Sequence, residues 1–312
     1  VLIDPPLTAT RSWALQRLNW TAFEWTILTA GTMGTASRLT AFADALLVGG
    51  SYKTIGGVRA HHLASWNGAA WHGVGPVPLA AAPLGGVPVG FAALASHNGK
   101  LFAGGAMEVE QMGRVGYVAA WTGDHWEALA GRVANGQVFA LAEYNGLLFV
   151  GGDFTTVTTA ANETVSVDGL VAWDDALGDF VPLGDGGIAR KRARGGLVVQ
   201  ALAAFQGRLY VGGSFSAIGT LEEVANVATW DGAAWGTLPG FDPNNEVYAF
   251  AVDADADALY IGGCFTNTPT PVVRWDGETW TAVALPLATY YMEGCVRALQ
   301  LYQRELYAGG DL

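Results

Sequence analysis

Two anchors recur along the chain in fixed order, and together they restrict what it can fold into. The first is a double glycine that closes a short apolar run: ALLVGG ending at Gly50, LFAGG at Gly105, LFVGG at Gly152, LYVGG at Gly213, LYIGG at Gly263 and LYAGG at Gly310. From Gly49 to Gly309 the five intervals average 52 residues, so the 312-residue chain holds six units of about that length. The second anchor is a pair of tryptophans five positions apart: Trp20/Trp25, Trp66/Trp71, Trp121/Trp126, Trp230/Trp235 and Trp275/Trp280, with Trp173/Phe180 as a loosened copy. Eleven of the 12 tryptophans fall in this motif, which makes them part of an architecture rather than of a stacking site.

Each unit reads as four short strands. The run before the double glycine splits at a turn signal, as in FALAEYNGLLFVGG (139–152) and AALASHNGKLFAGG (92–105), where Asn-Gly between apolar runs specifies a tight hairpin. The tryptophan half, as in VATWDGAAWGTL (227–238) and VVRWDGETWTAV (272–283), is a second hairpin turning at Asp-Gly. The double glycine therefore ends strand two, and the tryptophans belong to strands three and four. Glycine inside a strand costs roughly 0.5–1 kcal/mol, so its repetition at one phase implies a place where a side chain does not fit. The expected place is the crowded inner part of a blade, against an aromatic of its neighbour.

Four strands in about 50 residues, repeated radially, predict an all-β, six-bladed β-propeller of four-stranded blades, a single domain over residues 1–312. The N-terminal segment carries only the tryptophan half of a unit, and the C-terminal segment only the glycine half. Residues 12–28 are expected to pair with residues 296–311 as the sixth blade, two strands plus two, removing the edges an open sheet would expose. The alternative is an open segment of a longer repeat array, and a chain that opens on Val1 reads as a processed mature chain or as a piece of a longer one.

The segments LYVGGSFSAIG and ANVATWDGAAWGTL (209–219 and 225–238) resemble the kelch-like glycine/tryptophan propeller repeats of bacterial surface proteins and fungal cortical polarity markers. The likeness extends over nearly the whole chain and is specific for fold. It implies an extracellular or cell-surface scaffold that binds partners. Enzymes such as galactose oxidase are a minority among such propellers, and fold likeness does not confer activity.

Composition narrows the function classes. A net charge of −12 argues against nucleic acid, whose phosphates need a basic face. The longest uncharged stretch, Gly73 to Ser96, is broken by four prolines and five glycines and cannot cross a bilayer as a helix. No metal-binding HExxH, G-x-S-x-G elbow or phosphate-binding glycine loop occurs. Asp253, Asp255 and Asp257 form the D-x-D-x-D opening of a calcium loop, but the sixth position is Ala258 and the bidentate acid is replaced by Cys264. Solvated turn acids are the better reading, and neither cofactor nor metal is expected. The five histidines form no ligand set and read as surface residues.

In an antiparallel blade the two-to-three loops and the blade connections emerge on one face, here called the variable face, and the hairpin turns on the other. Partner contacts belong on the variable face. Two longer insertions stand out there: the apolar Val74–Val89, with Val77, Pro78, Leu79, Pro83 and Leu84, and the basic stretch with Arg190, Lys191, Arg192 and Arg194. The first reads either as a protein contact or as a cover over its own blade. The second reads as a solvated loop, an acidic-partner contact or a proteolytic site. Cys264 follows a double glycine and Cys295 opens the next strand one, both on the variable face, so either a disulfide or two buried thiols fits. Asn162 and Asn19 head glycosylation sequons. The expected function is a non-catalytic interaction propeller that binds protein partners through the variable face. The alternatives are a carbohydrate-binding propeller and an enzyme with its site at the channel mouth.

Overall fold

The computed structural model describes residues 14–19, 24–30, 34–60, 62–74, 90–106, 118–122, 126–129, 132–133, 135–181, 183, 197–284 and 295–310. It is all-β. Five antiparallel four-stranded sheets each come from one stretch of chain and follow one another. The first blade has Gly34–Phe42, Ala45–Tyr52, Leu63–Trp66 and Trp71–Gly73. The second has Gly90–His97, Lys100–Ala106, Val118–Trp121 and Trp126–Ala128. The third has Val138–Tyr144, Leu147–Gly152, Leu170–Asp174 and Asp179–Val181. The fourth has Val198–Phe205, Arg208–Ser214, Val227–Trp230 and Trp235–Gly236. The fifth has Val247–Asp253, Ala258–Gly263, Val272–Trp275 and Trp280–Ala282.

The expected count of six blades is corrected to five contiguous blades plus a composite closing sheet. That sheet joins Val296–Tyr302 and Glu305–Gly310 to Ala14–Asn19 and Glu24–Ala30, in the order 24–30, 14–19, 305–310, 296–302. A contiguous blade carries a chain connection from strand two to strand three. In the closing sheet Glu305–Gly310 and Ala14–Asn19 meet only through an antiparallel ladder, with Leu18 opposite Leu306 and Ala14 opposite Gly310. The inner strand of the closing sheet packs between those of the fifth and first blades, so the ring is closed.

The core lies between sheets. Each apolar cluster combines one face of a sheet with the facing side of the next, as where Phe102, Val118 and Ala120 of the second blade meet Val138, Leu141 and Val150 of the third. The two glycines of each anchor have separate causes. A Cβ on Gly151 would stand 2.5 Å from Val199 Cγ1 of the following blade, and one on Gly212 2.5 Å from Val247 Cγ1, so the first glycine admits the neighbour's valine. This corrects the expected aromatic neighbour: in most blades the intruding group is aliphatic. A Cβ on Gly152 would stand 1.9 Å from Gln137 O, and one on Gly213 1.9 Å from Val198 O, so the second glycine admits a carbonyl of its own inner strand.

The paired aromatics lie opposite each other across strands three and four, with centroids 5.3 Å apart for Trp66/Trp71 and 5.2 Å for Trp230/Trp235. Three two-to-three connections add short ladders to the expected four strands: Thr54–Ile55 with Val58–Arg59, Thr156–Thr158 with Thr164–Ser166, and Ala217–Ile218 with Leu221–Glu222. Gly56 (φ +55°) and Gly219 (φ +57°) lay these extensions directly on Trp71 and Trp235, where a Cβ would come within 2.1 Å of the indole. No helix among the described residues is long and apolar enough to cross a membrane.

Candidate functional site

The inner strands of the five blades and the closing sheet surround a channel of about 320 Å³. Each inner strand carries a β-bulge near its start, at Ser37, Ala92, Phe139, Gln200, Tyr248 or Arg297. The next residue pairs with the first glycine of strand two, which puts the bulges at the variable-face end. At this register position Phe139, Gln200, Tyr248 and Arg297 line the channel, and the residue type differs in every sheet.

The position after the bulge is uniform with one exception. It is Ala93, Ala140, Ala201, Ala249 and Ala298, but Arg38 in the first blade. The five alanines are buried in the clusters between sheets, and the single arginine reaches across the axis. Arg38 Nε donates to Phe139 O at 2.8 Å, Nη1 to Arg297 O at 3.2 Å and Nη2 to Gln200 O at 3.2 Å. The acceptors are bulge carbonyls of the third blade, the closing sheet and the fourth blade, so one side chain ties three distant sheets together. Part of its surface reaches the channel, but protein surrounds the guanidinium. Burial first, and then the like charge of Arg297, pull its pKa down to about 10, and it stays charged at neutral pH.

Around Arg38 the mouth is polar and partly accessible. The Arg297 guanidinium lies 4.6 Å from the Tyr248 ring centroid. Tyr248 Oη donates to Glu246 at 3.0 Å. Burial and that bond raise its pKa, and Arg297 opposes the rise. The Gln200 carboxamide makes no hydrogen bond to the described residues. Aligning the six inner strands (SRLTAF, AALASH, FALAEY, QALAAF, YAFAVD, RALQLY) displays both the ring and the outlying arginine. A search for motifs in loops passes over them, because no residue here is part of a local motif.

The residues expected from sequence fall elsewhere. Cys264 and Cys295 form a disulfide, with Cα atoms 4.4 Å apart, between strand two of the fifth blade and the entry to the closing sheet. Asp153, which follows a double glycine, accepts from the Gln137 backbone and supports a loop. Asp253 Oδ1 caps its own turn by accepting from the Asp255 and Ala256 N–H groups, Asp255 pairs with Arg304 at 3.1 Å on the exposed surface, and Asp257 accepts from Gln206. No group of three or more metal-ligating side chains is gathered among the described residues. Asn162 lies exposed, with φ +62°, at the tip of the Thr158–Thr164 turn, and Asn19 ends the strand of the closing sheet that lies between 24–30 and 305–310. Val77, Pro78, Leu79, Pro83 and Leu84, and Arg190, Lys191, Arg192 and Arg194, lie outside the described residues.

The reading of the histidines as surface residues is corrected at His97, which is fully buried at the hairpin end of the second blade's inner strand. Its Nδ1 stands 3.0 Å from Glu143 Oε2 of the third blade and its Nε2 3.3 Å from Asp175 Oδ2. Asn98 Nδ2 bridges the same ends, 3.1 Å from Nε2 and 2.9 Å from Asp175 Oδ2. The cause is location: the last residue of an inner strand points at the next sheet. Tyr144 and Tyr302 occupy equivalent places and donate to Gly207 O at 3.0 Å and Asp44 O at 2.6 Å. His97 is thus one of a set of joints between sheets.

Comparison with models of known protein families returned no match, and comparison with curated proteins likewise returned none.

Proposed function

We propose that the protein is a non-catalytic interaction module that binds a protein partner through the variable face of its propeller. The observation that carries this reading is the bulge ring. Repeated residues serve the fold, and the one register position that is chemically different in every sheet opens at the channel mouth on the face that also bears the three added ladders. The kelch-like character of the repeats supports the same use, since such propellers serve mainly as scaffolds. The disulfide supports an extracellular or cell-surface location, because oxidising compartments preserve such bonds. Arg38, the most buried charged group at the mouth, is held by carbonyls, an arrangement that suits a rigid platform better than an acid–base group.

A photo-crosslinking residue placed at Gln200 and, separately, at Asp255 on the opposite face tests the reading in the native setting. Adducts to a protein are expected from position 200 and not from position 255; equal adducts from both, or none from 200, would count against it. For location, protein isolated from its source without reductant is expected to resist alkylation at Cys264 and Cys295.

A further inference from the structure

We infer that Asn162 carries an N-linked glycan, rooted at the tip of the ladder that joins strands two and three of the third blade. The inference rests on the extracellular location proposed above, because this modification belongs to secreted chains. Its chemistry is readable in the sequence. Asn162-Glu163-Thr164 supplies the carboxamide, a middle residue other than proline, and the hydroxyl two positions on. In the transfer, Asn162 Nδ2 attacks C1 of the first sugar of a lipid-linked oligosaccharyl diphosphate. A C–N bond forms as the C1–O bond breaks, the carboxamide gives up one proton, and the lipid diphosphate leaves with the electron pair.

The folded chain leaves room for the product. Residues 160–164 are all exposed, whereas Val157, Thr158 and Val167 beside them are buried. The turn is held without the side chains that the modification uses. Asn162 N–H donates to Thr159 O at 2.9 Å, Thr159 N–H to Glu163 O at 2.8 Å, Glu163 N–H to Thr159 Oγ1 at 3.2 Å, and Ala160 N–H to Asp179 Oδ1 at 2.9 Å. The Asn162 carboxamide and the Thr164 hydroxyl make no hydrogen bond to the described residues, so a sugar on Nδ2 displaces no described contact of the fold. Asn98 and Asn226 share the left-handed backbone of Asn162, but their carboxamides are committed, the first to His97 and Asp175 and the second to Phe215 and Pro243.

The position also gives the glycan a physical role. Thr164–Ser166 is an edge strand of the three-stranded sheet it forms with Thr156–Thr158 and Arg132–Val133. Val167 N–H donates to Thr155 O and Thr159 N–H to Glu163 O, which fixes the phase of the ladder. By alternation, the backbone groups of Thr164 and Ser166 point to the open side, where no described strand pairs with them. A bulky hydrated chain rooted two residues before that edge hinders the addition of a strand from another molecule.

The test digests protein isolated from its source without reductant, treats the peptides with peptide-N-glycosidase in heavy-oxygen water and reads them by mass spectrometry. Conversion of Asn162 to heavy-labelled Asp is expected. Intact Asn162→Gln and Thr164→Ala variants from the same source should each lose the mass of one glycan, while Thr164→Ser retains it. Both side chains are exposed, so the variants are expected to keep the wild-type circular dichroism. Recovery of Asn162 without the label, or a glycan retained at Asn162 in Thr164→Ala, overturns the inference. Alkylation of the same preparation separates this failure from that of the location. Unmodified Asn162 beside a protected Cys264–Cys295 pair removes the glycan alone, and unmodified Asn162 beside free thiols removes both.

Discussion

The two ends of the inner strands differ in what their side chains do. At the hairpin end stand Phe42, His97, Tyr144, Phe205, Asp253 and Tyr302, four residue types against the six of the bulge ring. There every described polar group is engaged within the protein: His97 by Glu143 and Asp175, Tyr144 and Tyr302 by backbone carbonyls of the next sheet, and Asp253 by its own turn. At the variable end the backbone is held just as firmly, through Arg38 and the bulge carbonyls, but the side chains of Gln200, Tyr248 and Arg297 keep partial access to the channel mouth. Variation in residue type is therefore common to both ends. What separates a joint from a site is access: the His97 imidazole is fully buried between its partners, whereas the partly exposed Gln200 carboxamide makes no hydrogen bond to the described residues.

That contrast can be broken most severely at Gly213. Gly213→Ala would push a methyl against Val198 O and Gln200 N, forcing the bulge itself to move, and a loss of about 3 kcal/mol is expected in chemical denaturation. Gly212→Ala should cost less, because the atoms it meets belong to the side chains of Val247 and Phe250. Removing the disulfide with a Cys264→Ser, Cys295→Ser double variant opens a link spanning 31 residues and should lower stability by about 2–3 kcal/mol. On the other side of the contrast, His97→Ala should destabilise by about 2 kcal/mol, moderated by the partial exposure of Glu143 and Asp175. Arg38→Ala removes the donor from three carbonyls of three different sheets and should cost about 2–3 kcal/mol in chemical denaturation. If His97→Ala left stability unchanged, the hairpin-end group would not be a joint between sheets.

The smallest effect concerns the outer hairpin turns. Asp276 accepts from the backbone N–H of Thr279 and Glu278 and from the Thr279 hydroxyl, which holds its carboxyl at about 2, below the ordinary value of 3.8. A carboxyl whose pKa falls on folding stabilises above its unfolded value, and that contribution disappears as the pH drops through the folded value. The melting-temperature difference between wild type and Asp276→Asn should accordingly shrink between about pH 4 and pH 2. A constant difference across that window would remove the turn carboxylate from the stability balance.

Much of this architecture was legible in the chain because propeller packing imposes the same requirement in every sheet. The glycines at 49, 104, 151, 212 and 262 all admit a side chain of the following sheet, and the paired aromatics of the five contiguous blades lie opposite each other, so both leave a periodic trace. The pairing of residues 14–19 with 305–310 was legible from complementary half-units, while the place of the two cysteines on the variable face fitted a disulfide and two buried thiols equally. The added ladders were not, since two-residue strands such as Ala217–Ile218 have no period to detect. His97 was misread because its partners, Glu143 and Asp175, are 46 and 78 residues further along the chain and meet it only through the geometry of adjacent sheets. Arg38 escaped notice for the opposite reason: it departs from a pattern that becomes visible only when the inner strands, rather than the glycine and tryptophan anchors, are aligned.

The composite closing sheet also has a consequence for the order of assembly. Five blades can form as local meanders while the chain emerges, but Ala14–Asn19 must wait for Glu305–Gly310, almost the full described span later. Until then the two hairpins of the closing sheet have unpaired edges, at Ala14–Asn19 and at Glu305–Gly310. Closure is a contact of maximal sequence separation, expected to set the slow step of folding and to be the stage most exposed to edge-to-edge aggregation.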